Sequence, residues 1–302
     1  MVERKDQARI LLVGCGGIGC MAALNLESGG QAQVTAVLRS SYQIVKERGF
    51  TINSVDHGRV QGFRPTEILS AVPDVSQSGI SPFDYVICAT KNTPDVSTPV
   101  AELIRPAVTP GLPRQYYPFR HKHLRIGPFR DVGNAADRAK DLVARYNAGG
   151  HCTCHYDSNV TFSRWKKLLY NAVYNPVAAL TNLDTGDIQL CPGLVDEIVR
   201  PGMKEIQATA AAYGHEITNE MIEATITTEP IEAHVPPMAS AAHTTISTFL
   251  LTYLQSQYIE FENLVGEPLR CAKARQIATP ILQNNYSLAK SYQWKLKSKR
   301  AV

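Results

Sequence analysis

The chain has 302 residues, 44% of them hydrophobic and 19% charged, with a formal net charge of +4. That length holds two domains with separate cores, and the composition is that of a soluble globular protein. The small charge, with no long basic run, argues against nucleic acid as the main partner and mildly favours an anionic small molecule, and no window approaches the ~18 consecutive apolar residues of a membrane span.

The first nine residues are charged and lead into a strand without an apolar secretory core, and the seven cysteines are odd in number and scattered. Both features fit reduced thiols in a cytoplasmic protein. Cys152 and Cys154 beside His151 and His155 suggest a metal clip, but the C-x-C spacing has no second ligand pair, so the expectation is no metal.

Residues 8–13 form a short apolar run, the pattern of a strand buried on both faces. It stops at Gly14-Cys15-Gly16-Gly17-Ile18-Gly19. A helical stretch over 20–27 follows, ending at Gly29-Gly30, and residues 34–38 read as a second strand. Strand, G-x-G-x-x-G, helix and strand within ~30 residues is the setting of a dinucleotide site. Gly14 permits the tight turn, Gly16 the approach of a pyrophosphate, and Gly19 the packing of helix on strand. A generic glycine-rich turn is the alternative.

The end of the second strand bears on the cofactor. An NAD-preferring site places an acid there to hold the ribose hydroxyl. Here stand Arg39-Ser40-Ser41. A guanidinium and hydroxyls suit a 2′-phosphate, which points to NADP(H), unless Arg39 is an ordinary surface residue. A third strand, residues 84–90, ends at Lys91-Asn92, so Lys91 is expected at the cofactor crevice. Residues 100–104 read as a short helix, 112–123 match neither template, 124–129 suggest a late strand, and 135–146 have helical periodicity. Four strands are few for a full dinucleotide domain.

From residue 160 onward helical patterns dominate, at 162–181, 194–213, 219–225, 247–258, 260–275 and 280–295, with a basic tail over 295–300 that reads as a solvated helix end. The fold class expected is α/β: a Rossmann-like dinucleotide domain, shortened, over 1–156, and an all-helical substrate or dimerisation domain over 157–302. Such a pair of domains forms its site in the cleft between them. In the first of these helices Lys167 is followed by Asn171 and Asn175, three positions within roughly 80° of one another on an ideal helix. An ammonium and two amides beside Leu168, Leu169, Ala172 and Val173 look like the wall of a polar cleft. A snorkelling lysine beside two solvated asparagines is the bland alternative.

The chain resembles the ketopantoate reductases, and within them the fungal-type members. The resemblance rests on the glycine motif, on Arg39-Ser40-Ser41-Tyr42 with Gly49-Phe50-Thr51-Ile52, on Lys91-Asn92, on Trp165 through Pro176 (K-x-x-x-N-x-x-x-N-P), and on Ile259-Glu260-Phe261-Glu262-Asn263. It implies NADPH-dependent reduction of 2-dehydropantoate, or a related small 2-oxo acid, to the hydroxy acid. It casts Lys167 as general acid, Asn171 and Asn175 as substrate ligands, Glu260 as acceptor from a substrate hydroxyl and partner of the lysine, and Lys91 as a contact of the cofactor. It also admits a homodimer.

Three departures accompany it. The Asn-Gly loop expected after the Lys91 strand is absent between Thr93 and Phe129, with about forty residues and one or two strands missing against the family pattern. The positions twelve and eight before Glu260 hold Thr248, which keeps a hydroxyl for substrate, and Thr252, which has no carboxylate. Pro236-Pro237-Met238 stands ten residues early, which makes 239–256 an insertion or replacement. Besides an active reductase, these departures leave open a catalytically impaired dinucleotide-binding relative, or a chain whose working form is longer.

Overall fold

The computed structural model describes residues 7–77, 79–108, 124–130, 132–227 and 258–300. The chain divides into two compact units, one of Met1–Lys91 with Thr98–Val160, the other of Asn92–Ser97 with Thr161–Val302.

The first unit is built on a four-stranded parallel sheet, composed of β1 (Ala8–Val13), β2 (Ala32–Val37), β5 (Glu67–Leu69) and β6 (Tyr85–Cys88), in the order β5-β2-β1-β6. Ile10, Leu11 and Leu12 of β1 are fully buried, as a central strand covered on both faces requires. α1 (Gly17–Ser28) crosses from β1 to β2 and packs Ala22, Ala23 and Leu26 into the same core. Neighbours of β1 lie in opposite directions along the sheet, β2 on one side and β6 on the other, so the strand order reverses at its carboxyl end. α2 (Tyr42–Arg48) leads into an antiparallel hairpin, β3 (Phe50–Ser54) and β4 (Gly58–Phe63), which the sequence pattern did not predict. β3 does alternate, with Ile52 buried between exposed Thr51 and Asn53, but β4 buries no residue and carries Gly58 and Gly62, so the pair as a whole lacks the pattern of two half-buried strands.

α3 (Val100–Ile104) follows β6 as expected. β7 (Leu124–Ile126) and β8 (Cys154–Tyr156) form a parallel pair of their own, flanking α4 (Ala135–Asn147). Among the described residues neither strand joins the four-stranded sheet, and the expected strand over 124–129 shrinks to its first three residues. The residues weighed as a metal clip lie in and just before β8. Cys154 is buried in β8, the Cys152 thiol donates to the Tyr146 carbonyl, and the His151 ring lies 4.4 Å from that of His57. No described His, Cys, Asp and Glu side chains group as a metal site.

The second unit is helical. α5 (Val160–Leu169) runs through a wide turn (Tyr170–Tyr174) into α6 (Asn175–Thr181), followed by α7 (Thr185–Leu190). A second wide turn (Val195–Val199) leads into α8 (Arg200–Ala211), then α9 (Asn219–Ile226). A third (Glu262–Gly266) leads into α10 (Glu267–Ala274), and α11 (Pro280–Arg300) ends the described chain. No described helix is long and apolar enough to cross a membrane.

The three wide turns share one cause. Each runs directly into a residue followed by proline, at Pro176, Pro201 and Pro268. A proline inside an α-helix lacks the N–H for its i−4 carbonyl and its ring collides with that carbonyl, at a cost of about 3 kcal/mol. In each turn the residue before the proline bonds five residues back, Asn175 to Tyr170, Arg200 to Val195 and Glu267 to Glu262. The i→i+5 bond opens the ladder at the collision point, so the helix continues instead of stopping.

The basic tail differs from expectation. Leu296 is buried, and Lys297 pairs with Asp95 at 3.0 Å, so this end of α11 is docked rather than merely solvated.

Candidate functional site

The first unit gathers its polar loops at one edge of the sheet. Val13 lies in register with Val37 on one side and Cys88 on the other. The segments that follow all three strands therefore leave from the same edge, bringing Gly14, Arg39 and Lys91 to it. Ligands of open α/β sheets bind at such a carboxyl edge, where the strand order reverses.

The glycine turn is shaped for a close approach. Gly14 has a φ of +92°, a left-handed backbone, and its N–H donates to the Val37 carbonyl at 3.1 Å. A Cβ there would meet Thr90 at 2.7 Å, and one on Gly19 would run into the Gly14 carbonyl oxygen. Gly16 and Gly17 are the reverse case, since a Cβ on either would meet nothing within 4 Å. Gly16 caps α1 with no side chain in the way, and no acid sits in the first turn of the helix. The positive end of the helix dipole is thus uncancelled and open to an anion. Ile18 projects 40% exposed from the same turn. Burial, with Cys20 adding to it, pushes the Cys15 thiol up to about 12, so it stays protonated and uncharged beside this anion-binding turn. Arg39 and Ser40 are exposed just past β2, and Lys91 is exposed past β6. A cradle without Cβ atoms and an open helix N-terminus fit the pyrophosphate of a nicotinamide dinucleotide, and Arg39 stands exposed past the second strand.

The second unit holds the lysine and the asparagines. Asn171 and Asn175 are buried, and the Asn175 amide donates to the Asn171 carbonyl oxygen at 3.2 Å. Leu169, Ala172 and Val173, fully buried on the other side, fix this stretch in the core of the unit. Lys167 stands half-buried one turn earlier, at the end of α5. The wide turn falls between the lysine and Asn175. Positions four apart swing one way in an α-ladder and the other way in an i→i+5 ladder, so 171 and 175 stay adjacent. Tyr174 anchors the turn by donating to the Ile226 carbonyl at 3.2 Å.

Glu260 opens the third helical stretch, and its Oε1 accepts from the Asn92 backbone N–H at 2.7 Å. One turn later the Asn263 amide donates to the Asn92 carbonyl at 2.6 Å. Neither partnership was foreseen. The available signal was the three-residue spacing of Glu260 and Asn263, which places them on one helical face, but nothing in the sequence names Asn92 as their target. Thr248 lies outside the described residues.

Comparison with known proteins adds a family. Two sequence models match, Ketopantoate reductase PanE/ApbA over residues 10–113 and Ketopantoate reductase PanE/ApbA C terminal over residues 159–293. The uncharacterized protein YDL144C of Saccharomyces cerevisiae is 30% identical, covering 98% of this chain and 96% of its own. That alignment spans 358 residues against the 302 of this chain, so the yeast protein carries stretches this chain lacks. Among solved structures, 2-dehydropantoate 2-reductase from Methylococcus capsulatus superposes with a TM-score of 0.74 at 23% identity, covering 95% of this chain and 97% of that one. A D-mandelate dehydrogenase with NADH and anilino(oxo)acetate superposes at 0.69 with 18% identity, covering 96% and 99%. At these identities the two structures establish the shared fold.

Proposed function

Because the chain belongs to the ketopantoate reductase PanE/ApbA family of oxidoreductases, we propose that it reduces 2-dehydropantoate, or a small 2-oxo acid like it, with NADPH as donor. The observation that carries this reading is the glycine turn, where Gly16 and Gly17 leave open space above a helix N-terminus without an acid. When bound, NADPH supplies the hydride. The residues of the chain supply the rest. The backbone N–H groups at the start of α1 hold the pyrophosphate, and Arg39 with Ser40 holds the 2′-phosphate by charge-assisted bonds. Lys167 stabilises the negative charge that develops on the substrate carbonyl oxygen and donates the proton there. Asn171 and Asn175 hydrogen-bond the substrate, and the bond between them sets their orientation. Thr248 and Lys91 complete the contacts, with substrate and cofactor respectively.

The cofactor half of the reading is tested by replacing the guanidinium. Arg39→Ala is expected to weaken NADPH on the order of ten-fold or more, the worth of a charge-assisted contact, while leaving NADH nearly unchanged. Equal losses for both cofactors in a calorimetric titration would remove Arg39 from the 2′-phosphate site.

A second reading, a relative that binds the dinucleotide but turns over poorly, is favoured by the lack, among the described residues, of hydrogen-bonded pairing between β7 or β8 and the main sheet, and by the longer alignment with the yeast protein. NADPH binding without oxidation by any 2-oxo acid supports it.

A further inference from the structure

The segment Asn92–Ser97 belongs to the helical unit, although it follows directly on the strand end that carries Lys91. Several side chains of that unit hold it. Glu260 accepts from the Asn92 N–H at 2.7 Å, and Asn263 donates to the Asn92 carbonyl at 2.6 Å. Lys297 donates to the Asp95 carbonyl at 2.8 Å and pairs with its carboxylate at 3.0 Å. Gln293, only 1% exposed, donates to the Asp95 carboxylate at 3.1 Å. The same Gln293 accepts from the Ile259 N–H at 3.0 Å and donates to the Ile259 carbonyl, so it ties the residue before Glu260 to the segment that Glu260 holds. Within the segment the Thr93 carbonyl accepts from the Val96 and Ser97 N–H groups, closing a turn.

We propose that Glu260 and Asn263 are positioning residues for Lys91: they grip both polar groups of the Asn92 backbone and so fix the peptide on which Lys91 stands. The Asn92 N–H belongs to the peptide bond that Lys91 itself forms, so the residue to be placed is one Cα step, about 3.8 Å, from the gripped unit. A carboxylate receiving a backbone N–H makes a charge-assisted bond, stronger than a neutral one. Gripping the donor with one side chain and the acceptor with another leaves the unit little freedom to rotate. Glu260 thereby acts through the Lys91 backbone, a role separate from any contact of its carboxylate with substrate. The proposal rests on the reading that Lys91 contacts the dinucleotide.

The test follows the exchange of the Asn92 amide hydrogen and the affinity for NADPH in the full chain and in Glu260→Gln, Glu260→Ala and Asn263→Ala. Gln keeps an oxygen that accepts from the N–H, whereas Ala does not. The expected result is faster Asn92 exchange and NADPH binding weakened on the order of ten-fold in both Ala variants, with Glu260→Gln restored to within a few-fold of the parent. Melting temperatures identify a variant that has merely unfolded, and Asn263→Ala carries the test should Glu260→Ala fail to fold. Parental NADPH affinity in Asn263→Ala, with its Asn92 amide exchanging freely, overturns the proposal while leaving the proposed function standing. A parent chain that binds no NADPH overturns the functional reading and this role for Lys91 with it, even if the amide exchange responds as stated.

Discussion

Two glycines of one turn separate fold from ligand binding. In Gly16→Ala the new methyl meets nothing within 4 Å, and the backbone at φ −70°, ψ −170° is open to any residue. Two small terms act on stability. Removing a glycine lowers the entropy of the unfolded chain and stabilises by about 0.4–1 kcal/mol, while alanine is a poorer helix N-cap than glycine by a comparable amount. They nearly cancel, so the melting temperature should move by no more than ~4 °C. The methyl instead occupies the space left for a pyrophosphate. An overpacking cost of about 1–3 kcal/mol converts to roughly 5- to 150-fold weaker dinucleotide binding. Gly19→Ala does the opposite, because its Cβ is driven against the Gly14 carbonyl oxygen, which is backbone and cannot swing aside. The same cost of about 1–3 kcal/mol then falls on the fold, lowering the melting temperature by several degrees. Thermal melts paired with calorimetric NADPH titrations read both effects. Gly16→Ala binding NADPH like the parent, or melting as low as Gly19→Ala, would refute the reasoning.

Two predictions concern the scaffold of the first unit. Glu27 Oε1 accepts from the Val34 N–H at 2.9 Å and from the Thr66 N–H and hydroxyl at 2.8 and 2.6 Å. Glu27→Ala strands these donors and should cost about 1–3 kcal/mol in urea unfolding, and an unchanged midpoint would show that water replaces the carboxylate. Asp141 sits where burial raises its pKa, but bonds from Arg145 and Tyr85 outweigh burial and hold it below the usual carboxylate range. A depressed folded pKa contributes stability that is present above the unfolded value, near pH 4, and is lost as pH falls through the folded value. Asp141→Asn should therefore be less stable than the parent at pH 7, with the gap closing below about pH 4. A gap that widens on acidification would reverse the sign of this account.

What the sequence discloses here is whatever repeats locally. β1, the glycine turn and α1 are legible because an apolar run, fixed glycines and a helical period succeed one another within a few residues. Lys167, Asn171 and Asn175 are legible through spacing alone, and their neighbours prove to be core as that spacing implied. The wide turns were written in the sequence too, as Pro176, Pro201 and Pro268 inside helical runs. A rule that ends helices at proline misses them, since the opened ladder removes the collision. The grip on Asn92 was not legible, because its partners lie 168 and 171 residues away and only the tertiary fold brings them together. Lys297 was hidden for the same reason. Its sequence neighbours are basic and look solvated, while its partner Asp95 is 202 residues distant.

The central claim is reduction of a 2-oxo acid with Lys167 as the acid. It is tested most directly by following NADPH absorbance with ketopantoate for the parent and for Lys167→Ala, beside NADPH binding for both. Removing a positioned proton donor costs typically ~10²–10⁴-fold in turnover and leaves cofactor binding in place. The account predicts parental turnover that falls by at least ~100-fold in Lys167→Ala with NADPH affinity kept. Parental turnover that survives the substitution would contradict it.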